Sequence, residues 1–174
     1  MNAPDRNSPS DGDTAPTPLA LRAALGRFAT GVTIVTCRDA DGSPVGLTAN
    51  SFAALSLDPP LVLWSLRKAS ASRPAFEAAR HFVINVLAET QVEMSRRFAS
   101  PAVADKFAEG PWAPGLGGVP VLGGCAAVFE CETSACHDAG DHLLFIGRVQ
   151  RLADLAVAPL LFQGGHYRMM GEVL

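Results

Sequence analysis

"GLTANSFAALSLDPPLVLWSL", residues 46–66, decides the fold. Its last third, "LVLWSL" (61–66), is a short apolar run of the length and composition of a buried strand. Ahead of it stand Pro59 and Pro60, which lack N–H donors and cannot occupy a central ladder, so "LSLDPP" is expected to turn the chain. The first part belongs to a return strand over 45–55, "VGLTANSFAAL", that Gly46, Thr48, Asn50 and Ser51 weaken or bend. Immediately upstream, "TGVTIVTC" (30–37) is β-branched and reads as a strand. "RDADGSP" (38–44) supplies Asp-Gly followed by Pro, the signature of a hairpin turn between the two.

Working outward, residues 18–29 are expected to form a short helix, with Pro18 at its first position and Leu21, Leu25 and Phe28 along one face. A second short helix is expected within 70–82, with Ser72 near its start and Pro74 in its first turn. "HFVINVL" (81–87) is a strand, and 90–99 a helix opened by the capping-box pattern Thr90-x-x-Glu93. Residues 100–124, rich in Gly and Pro, read as a long surface loop. Strands at 125–135 and 142–152 are joined by the turn "CHDAGD", and 159–171 adds one short strand and a glycine bend. About six strands against three short helices, short connections and no βαβ rhythm predict a mainly β fold with peripheral helices, an antiparallel barrel or sandwich.

The chain of 174 residues is 48% hydrophobic, enough for one domain with its own core. Residues 1–17, polar and rich in Pro, Ser and Asp, read as a disordered tail, leaving 18–174 as the domain. The tail lacks the apolar centre of a signal peptide, and no apolar stretch reaches the length of a membrane span. A cytoplasmic protein is therefore expected. A net charge of −3 argues against nucleic-acid and anionic-membrane partners. Cys37, Cys125, Cys131 and Cys136 form no C-x-x-C pair, and Cys131 alternates with Phe129 and Ala127 on one strand face, so buried free thiols are expected rather than a zinc site. "GLGG" (115–118) lacks dinucleotide-fingerprint spacing, and neither a P-loop nor a G-x-S-x-G elbow is present. His137 and His142 do not have metalloprotease spacing, and no metal is expected.

Three polar clusters remain next to strand ends: Thr48, Asn50 and Ser51; Arg67 and Lys68 with Ser70 and Ser72; and Arg96 and Arg97 with Phe98. Each alone reads more readily as turn formers, a solvated strand end or an exposed helix face than as a binding group. Together they offer hydroxyl, amide and guanidinium groups suited to a phosphate and the edge of a heteroaromatic ring.

These segments carry a resemblance. "RFATGVTIVTC", "PVGLTANSFAALSLDPPLVLWSL", "FVINVL", "RRFA…DKF" and "GDHLLFIGRV", in this order across roughly residues 19–168, closely resemble the flavin reductase-like family, the short-chain reductase components of two-component flavin-dependent monooxygenases. The resemblance implies a split β-barrel of Greek-key, FMN-binding type. It also implies a homodimer, and hydride transfer from NADH or NADPH to FMN or FAD, with reduced flavin passing to a partner monooxygenase. It assigns flavin binding to Pro44, Val45, Gly46, Leu47, Thr48, Asn50, Ser51, Ser65, Leu66, Arg67, Ser72, Arg97 and Phe98. It further assigns the nicotinamide cofactor to His142, as the catalytic residue, and to Phe162, Gln163, Gly164 and Gly165, with His166 and Tyr167 adjoining. "FQGGHY" leaves the choice between NADH and NADPH open. A flavin carrier of the same fold without pyridine-nucleotide turnover, and a non-enzymatic dimeric domain, are the competing function classes.

Overall fold

The computed structural model describes residues 15–172. In chain order the elements are α1 (Pro18–Leu25), β1 (Thr30–Gly31), β2 (Thr33–Arg38), β3 (Pro44–Ala49), β4 (Ala53–Leu57), β5 (Pro60–Arg67), α2 (Arg73–Ala78), β6 (His81–Val86), α3 (Val92–Ala99), β7 (Trp112–Pro114), β8 (Pro120–Leu122), β9 (Ala127–Ala139), β10 (His142–Asp154), β11 (Leu161–Gln163) and β12 (His166–Arg168). The fold is mainly β with few helices. Most of the expected tail lies outside the described residues; its last residue, Thr17, caps α1 by accepting a hydrogen bond from the Ala20 N–H at 3.2 Å.

The single return strand expected over 45–55 is in fact two. Residues 50–52 break it, and the halves sit on opposite edges of one seven-stranded sheet of order β3-β2-β6-β9-β10-β5-β4. In a flat sheet those edges would lie about 29 Å apart, at about 4.8 Å per strand. The step from Ala49 to Ala53 reaches at most about 15 Å. The sheet must therefore curl until its two edges approach each other, and "NSF" is where the chain crosses between them.

Ser51 closes the gap chemically. β4 pairs with β5 only from Pro60 to Leu63, so the backbone of Ser65 extends past the end of its edge partner. The Ser51 hydroxyl accepts from the Ser65 N–H at 3.0 Å and donates to the Ser65 C=O at 3.1 Å, supplying both missing partners.

Curling gives the sheet an inner and an outer core. From Val32 into β2 the alternation is strict: Val35 and Cys37 join the inner cluster, Val32 and Ile34 the outer. In the inner core Trp64 stacks on Phe145 at 4.9 Å between ring centroids and meets Phe76 edge-on at 4.9 Å. α3 and the β7–β8 hairpin cover the outer face, bringing Phe98, Leu122 and Val119 onto Ile34 and Val83. Asn85, fully buried, ties hairpin to sheet: its amide donates to the Ile34 carbonyl at 3.0 Å and accepts from the Leu122 N–H at 2.8 Å.

Several expectations are corrected. The stretch 100–124 is no mere surface loop, because Phe107, Trp112, Val119 and Leu122 fill the outer core. α3 begins at Val92 after a short 3-10 turn, and the Thr90–Glu93 box is not formed; Gln91 accepts from the Ala88 N–H instead, at 2.9 Å. Strands β9 and β10 absorb most of "CHDAGD", leaving Gly140 and Asp141 as the turn. The C-terminal stretch contributes two strands. Helix α1 stops at Leu25 and buries none of its residues; Leu19, Leu25 and Phe28 remain exposed. Of the four free cysteines, three are buried and Cys136 is exposed. Burial pushes the Cys37, Cys125 and Cys131 thiols up to about 12, with nearby Asp39 adding to the effect at Cys37 and Glu130 at Cys131.

Candidate functional site

Where the sheet edges meet, a cleft of about 660 Å³ opens. The end of β3 and the crossing contribute Leu47, Thr48, Ala49, Asn50 and Ser51; the end of β5 and the following turn contribute Ser65, Leu66, Arg67, Ala69 and Ser70. Ala99 at the end of α3, Pro101 just beyond it and His142 at the start of β10 complete it. The topology explains the convergence. The antiparallel pairing of β5 with β10 sets His142 opposite Arg67. The Lys68 N–H then bonds the Asp141 carbonyl at 2.9 Å, which closes that end of the pair.

The polar groups divide into those already committed and those available. The Ser51 hydroxyl is spent on Ser65, as above. Thr48 donates to the Ser95 carbonyl of α3 at 2.7 Å, which fixes the cleft wall and leaves its oxygen lone pairs as acceptors. Ser70 accepts from the Ser72 N–H at 3.3 Å and keeps its own proton to donate. The Lys68 ammonium pairs with Asp138 at 2.6 Å, and that contact, a hydrogen bond reinforced by charge, holds the Asp138 carboxyl below the usual carboxylate range. Among the described residues Arg67 makes no ion pair and Asn50 no side-chain hydrogen bond, so both face the cleft unengaged. His142 Nδ1 lies 2.7 Å from Asp141, whose carboxyl is held below its ordinary range by that hydrogen bond and by the imidazole's charge. Asp141 therefore stays an acceptor at neutral pH, and Nε2 is the ring nitrogen left for a ligand.

Other residues singled out in the sequence lie elsewhere. Pro44 is exposed at the β2–β3 hairpin and Val45 packs on the inner core. Gly46 faces the outer core, where a Cβ would sit 2.7 Å from the Phe98 ring; the pair lets α3 press against β3 behind the cleft. Ser72 is the residue before α2. Arg97 lines a separate cleft of about 530 Å³, paired with Glu109 and donating to the Asp105 carbonyl at 3.2 Å. Phe162, Gln163, Gly164 and Gly165 line a third cleft of about 860 Å³ between α1 and the β11–β12 hairpin, which Asn50 also lines. Tyr167 bonds Ser95 at 2.9 Å, and His166 is exposed on the hairpin. Ala69, Ala99 and Pro101 were missed by sequence reasoning, since small apolar residues carry no chemical signal. No group of three or more His, Cys, Asp or Glu is gathered as for a metal among the described residues. Nor is any helix among them long and apolar enough to cross a membrane.

Residues 25–171 match the family model of the flavin reductase like domain. The chain belongs to the flavin reductase-like family. It is 49% identical over 148 residues to the FMN reductase (NADH) SmoA of Agrobacterium fabrum, covering 85% of this chain and 83% of that one. It is 47% identical over 148 residues to the reductase component of the flavin-dependent trigonelline monooxygenase of Acinetobacter baylyi, covering 84% of this chain; it spans 47%, about half, of that relative's length. Among solved structures, the NADH:FAD oxidoreductase SgcE6 of Streptomyces globisporus superposes with a TM-score of 0.85 at 35% identity, covering 91% of this chain and 95% of that one.

Proposed function

We propose that this chain is an NAD(P)H-dependent flavin reductase that transfers hydride from NADH or NADPH to FMN or FAD and releases reduced flavin to a partner flavin-dependent monooxygenase. The observation that carries this reading is the cleft at the sheet seam. Its volume is in the range of a small-molecule site, Leu47 and Leu66 give it apolar walls, and Asn50, Arg67, Ser70 and His142 bring unspent polar groups to it. That donor set fits a flavin: amide and hydroxyl groups for the ring edge and ribityl chain, a guanidinium for phosphate. The names of the relatives point the same way.

The bound flavin and pyridine nucleotide would themselves supply the redox chemistry. The chain's part is to bind, orient and exclude. Leu47 and Leu66, which line the cleft, would supply apolar wall beside the ring. Asn50 and the Thr48 lone pairs would meet polar atoms along its edge, and Arg67 with Ser70 would neutralise phosphate. We place the phosphate there because Arg97 is engaged with Glu109 in its own cleft. Gly46, Phe98, Ser51 and Ser65 hold the walls. His142, steadied through Nδ1 by Asp141, would offer Nε2 to the nicotinamide cofactor, and Phe162, Gln163, Gly164 and Gly165 would hold the rest of it.

The finer architecture proposed is a split β-barrel of Greek-key, FMN-binding type, on one domain from residue 18 onward; the three-residue crossing between sheet edges supports it. A homodimer is proposed because α1 leaves Leu19, Leu25 and Phe28 uncovered, and Leu57 and Leu152 are exposed as well. The four free cysteines suit a cytoplasmic location.

Purified protein with NADH and FMN, followed at 340 nm, tests the reading. Turnover is expected. Flavin binding without NADH or NADPH oxidation would instead select a flavin carrier, and no flavin binding a non-enzymatic dimeric domain.

A further inference from the structure

The third cleft has a charge pattern that the flavin site does not explain. It is lined by Arg22, Arg27 and Arg168, and by no acidic residue. The chain carries 17 Asp and Glu against 14 Lys and Arg, so three guanidinium groups around one acid-free hollow run against the overall balance. Several arginines elsewhere on the surface are paired: Arg73 with Glu77, Arg80 with Glu132, Arg97 with Glu109. Among the described residues none of the three cleft arginines has a carboxylate partner. Gathering like charges costs energy unless an anion offsets it.

The hollow is also held together deliberately. Gly164 N–H donates to the Gly26 carbonyl at 2.9 Å, and the Gln163 amide donates to the Arg27 carbonyl at 3.3 Å. These bonds clamp the β11–β12 hairpin to the end of α1. Arg22 in the last turn of α1, Arg27 just after it and Arg168 on β12 are thereby set around one cavity. Asn50 lines both this cavity and the flavin cleft, so a ligand long enough can occupy the two at once.

We propose that Arg22, Arg27 and Arg168 form an anion site for the adenosine-side phosphates of the pyridine nucleotide, whose nicotinamide end passes Asn50 to reach the flavin cleft. The proposal rests on the reductase reading above and adds residues that make its nucleotide specificity electrostatic. The pyrophosphate is common to NADH and NADPH; the 2′-phosphate of NADPH would add charge in the same hollow.

ADP-ribose, which carries the pyrophosphate without the nicotinamide, separates this site from turnover. Calorimetric titration of the full-length protein should show ADP-ribose binding that weakens as salt is raised. Arg22→Gln/Arg27→Gln/Arg168→Gln should weaken it by about tenfold or more, with FMN affinity unchanged. The singles Arg22→Gln and Arg168→Gln, each with a smaller loss, serve if the triple variant does not fold. 2′-Phospho-ADP-ribose binding more tightly than ADP-ribose, with that difference lost in the variants, would support the same site. Unchanged ADP-ribose affinity in every variant would overturn the proposal. So would absence of ADP-ribose binding in a protein that binds FMN and oxidises NADH, a result that leaves the reductase reading standing. Competition with ADP-ribose by FAD but not by NADH would overturn it too, by giving the arginines to the flavin dinucleotide. If the protein neither binds FMN nor oxidises NADH, the reductase reading itself fails.

Discussion

Replacing Ser51 by Ala should loosen the seam between the sheet edges. The Ser51 hydroxyl makes two hydrogen bonds, both to the backbone of Ser65, at 3.0 and 3.1 Å. Each contributes about 1 kcal/mol net, and the Ser65 groups left behind are half-buried beside a cleft that admits water, which limits the further penalty. The expected loss is about 1–2 kcal/mol. For a domain of this size that corresponds to a fall in Tm of about 2–8 °C. The control is Ser70→Ala in the same cleft, whose hydroxyl makes only a local contact with the Ser72 N–H; it should cost less than about 0.5 kcal/mol. Thermal and urea unfolding of the three proteins, with flavin absent, read the difference. A Ser51→Ala protein that melts within about 1 °C of the parent would refute the reasoning, because the crossing would then be held by something other than the Ser51 hydroxyl.

Arg67→Gln should raise the flavin Kd about 10- to 100-fold, the loss of one charge-assisted contact; fluorescence titration with FMN reads it, and an unchanged Kd removes Arg67 from the site. His142→Ala should bind flavin normally but oxidise NADH more slowly, and unaltered steady-state kinetics would deny His142 its role. At pH 8 a thiol reagent should label the native protein at Cys136 alone, and all four cysteines after denaturation, since Cys37, Cys125 and Cys131 are buried. Those three thiols titrate near 12 in the fold, against about 8.5 when unfolded. With the folded value raised, the native state holds more protons between the two, so stability is full below about pH 8.5 and falls as pH rises through that window. Urea midpoints from pH 8 to 10.5 should show the fall, and Cys131→Ala should show a smaller one; an identical slope would contradict the assignment.

What could be read in the sequence was local. The alternation of Val62, Trp64 and Leu66 in "LVLWSL" is the inward face of β5, and Asp-Gly marks the hairpin before β3. What could not be read was partnership. Nothing in residues 45–55 says that the two halves join different strands, because pattern reports which face is apolar and not which neighbour supplies the hydrogen bonds. Trp112 and Leu122 were hidden for a related reason: surrounded by Gly and Pro, they show no period, yet they fill the outer core. Leu47, Thr48, Asn50, Ser51, Ser65, Leu66, Arg67 and His142 do line one cleft. Arg97 and Ser72 do not line it, because side chains near in sequence to a site can face away from it. The arginine cleft was invisible in sequence since Arg22 and Arg168 lie near opposite ends of the chain.

The central claim is that the cleft at the sheet seam is where flavin binds. A crystal structure of the protein with FMN tests it most directly. The account predicts the flavin ring between residues 47–51 and 65–67, its phosphate near Arg67 and Ser70, and His142 at its open side. Flavin bound instead beside Arg97 and Glu109, with the seam cleft vacant, would contradict it.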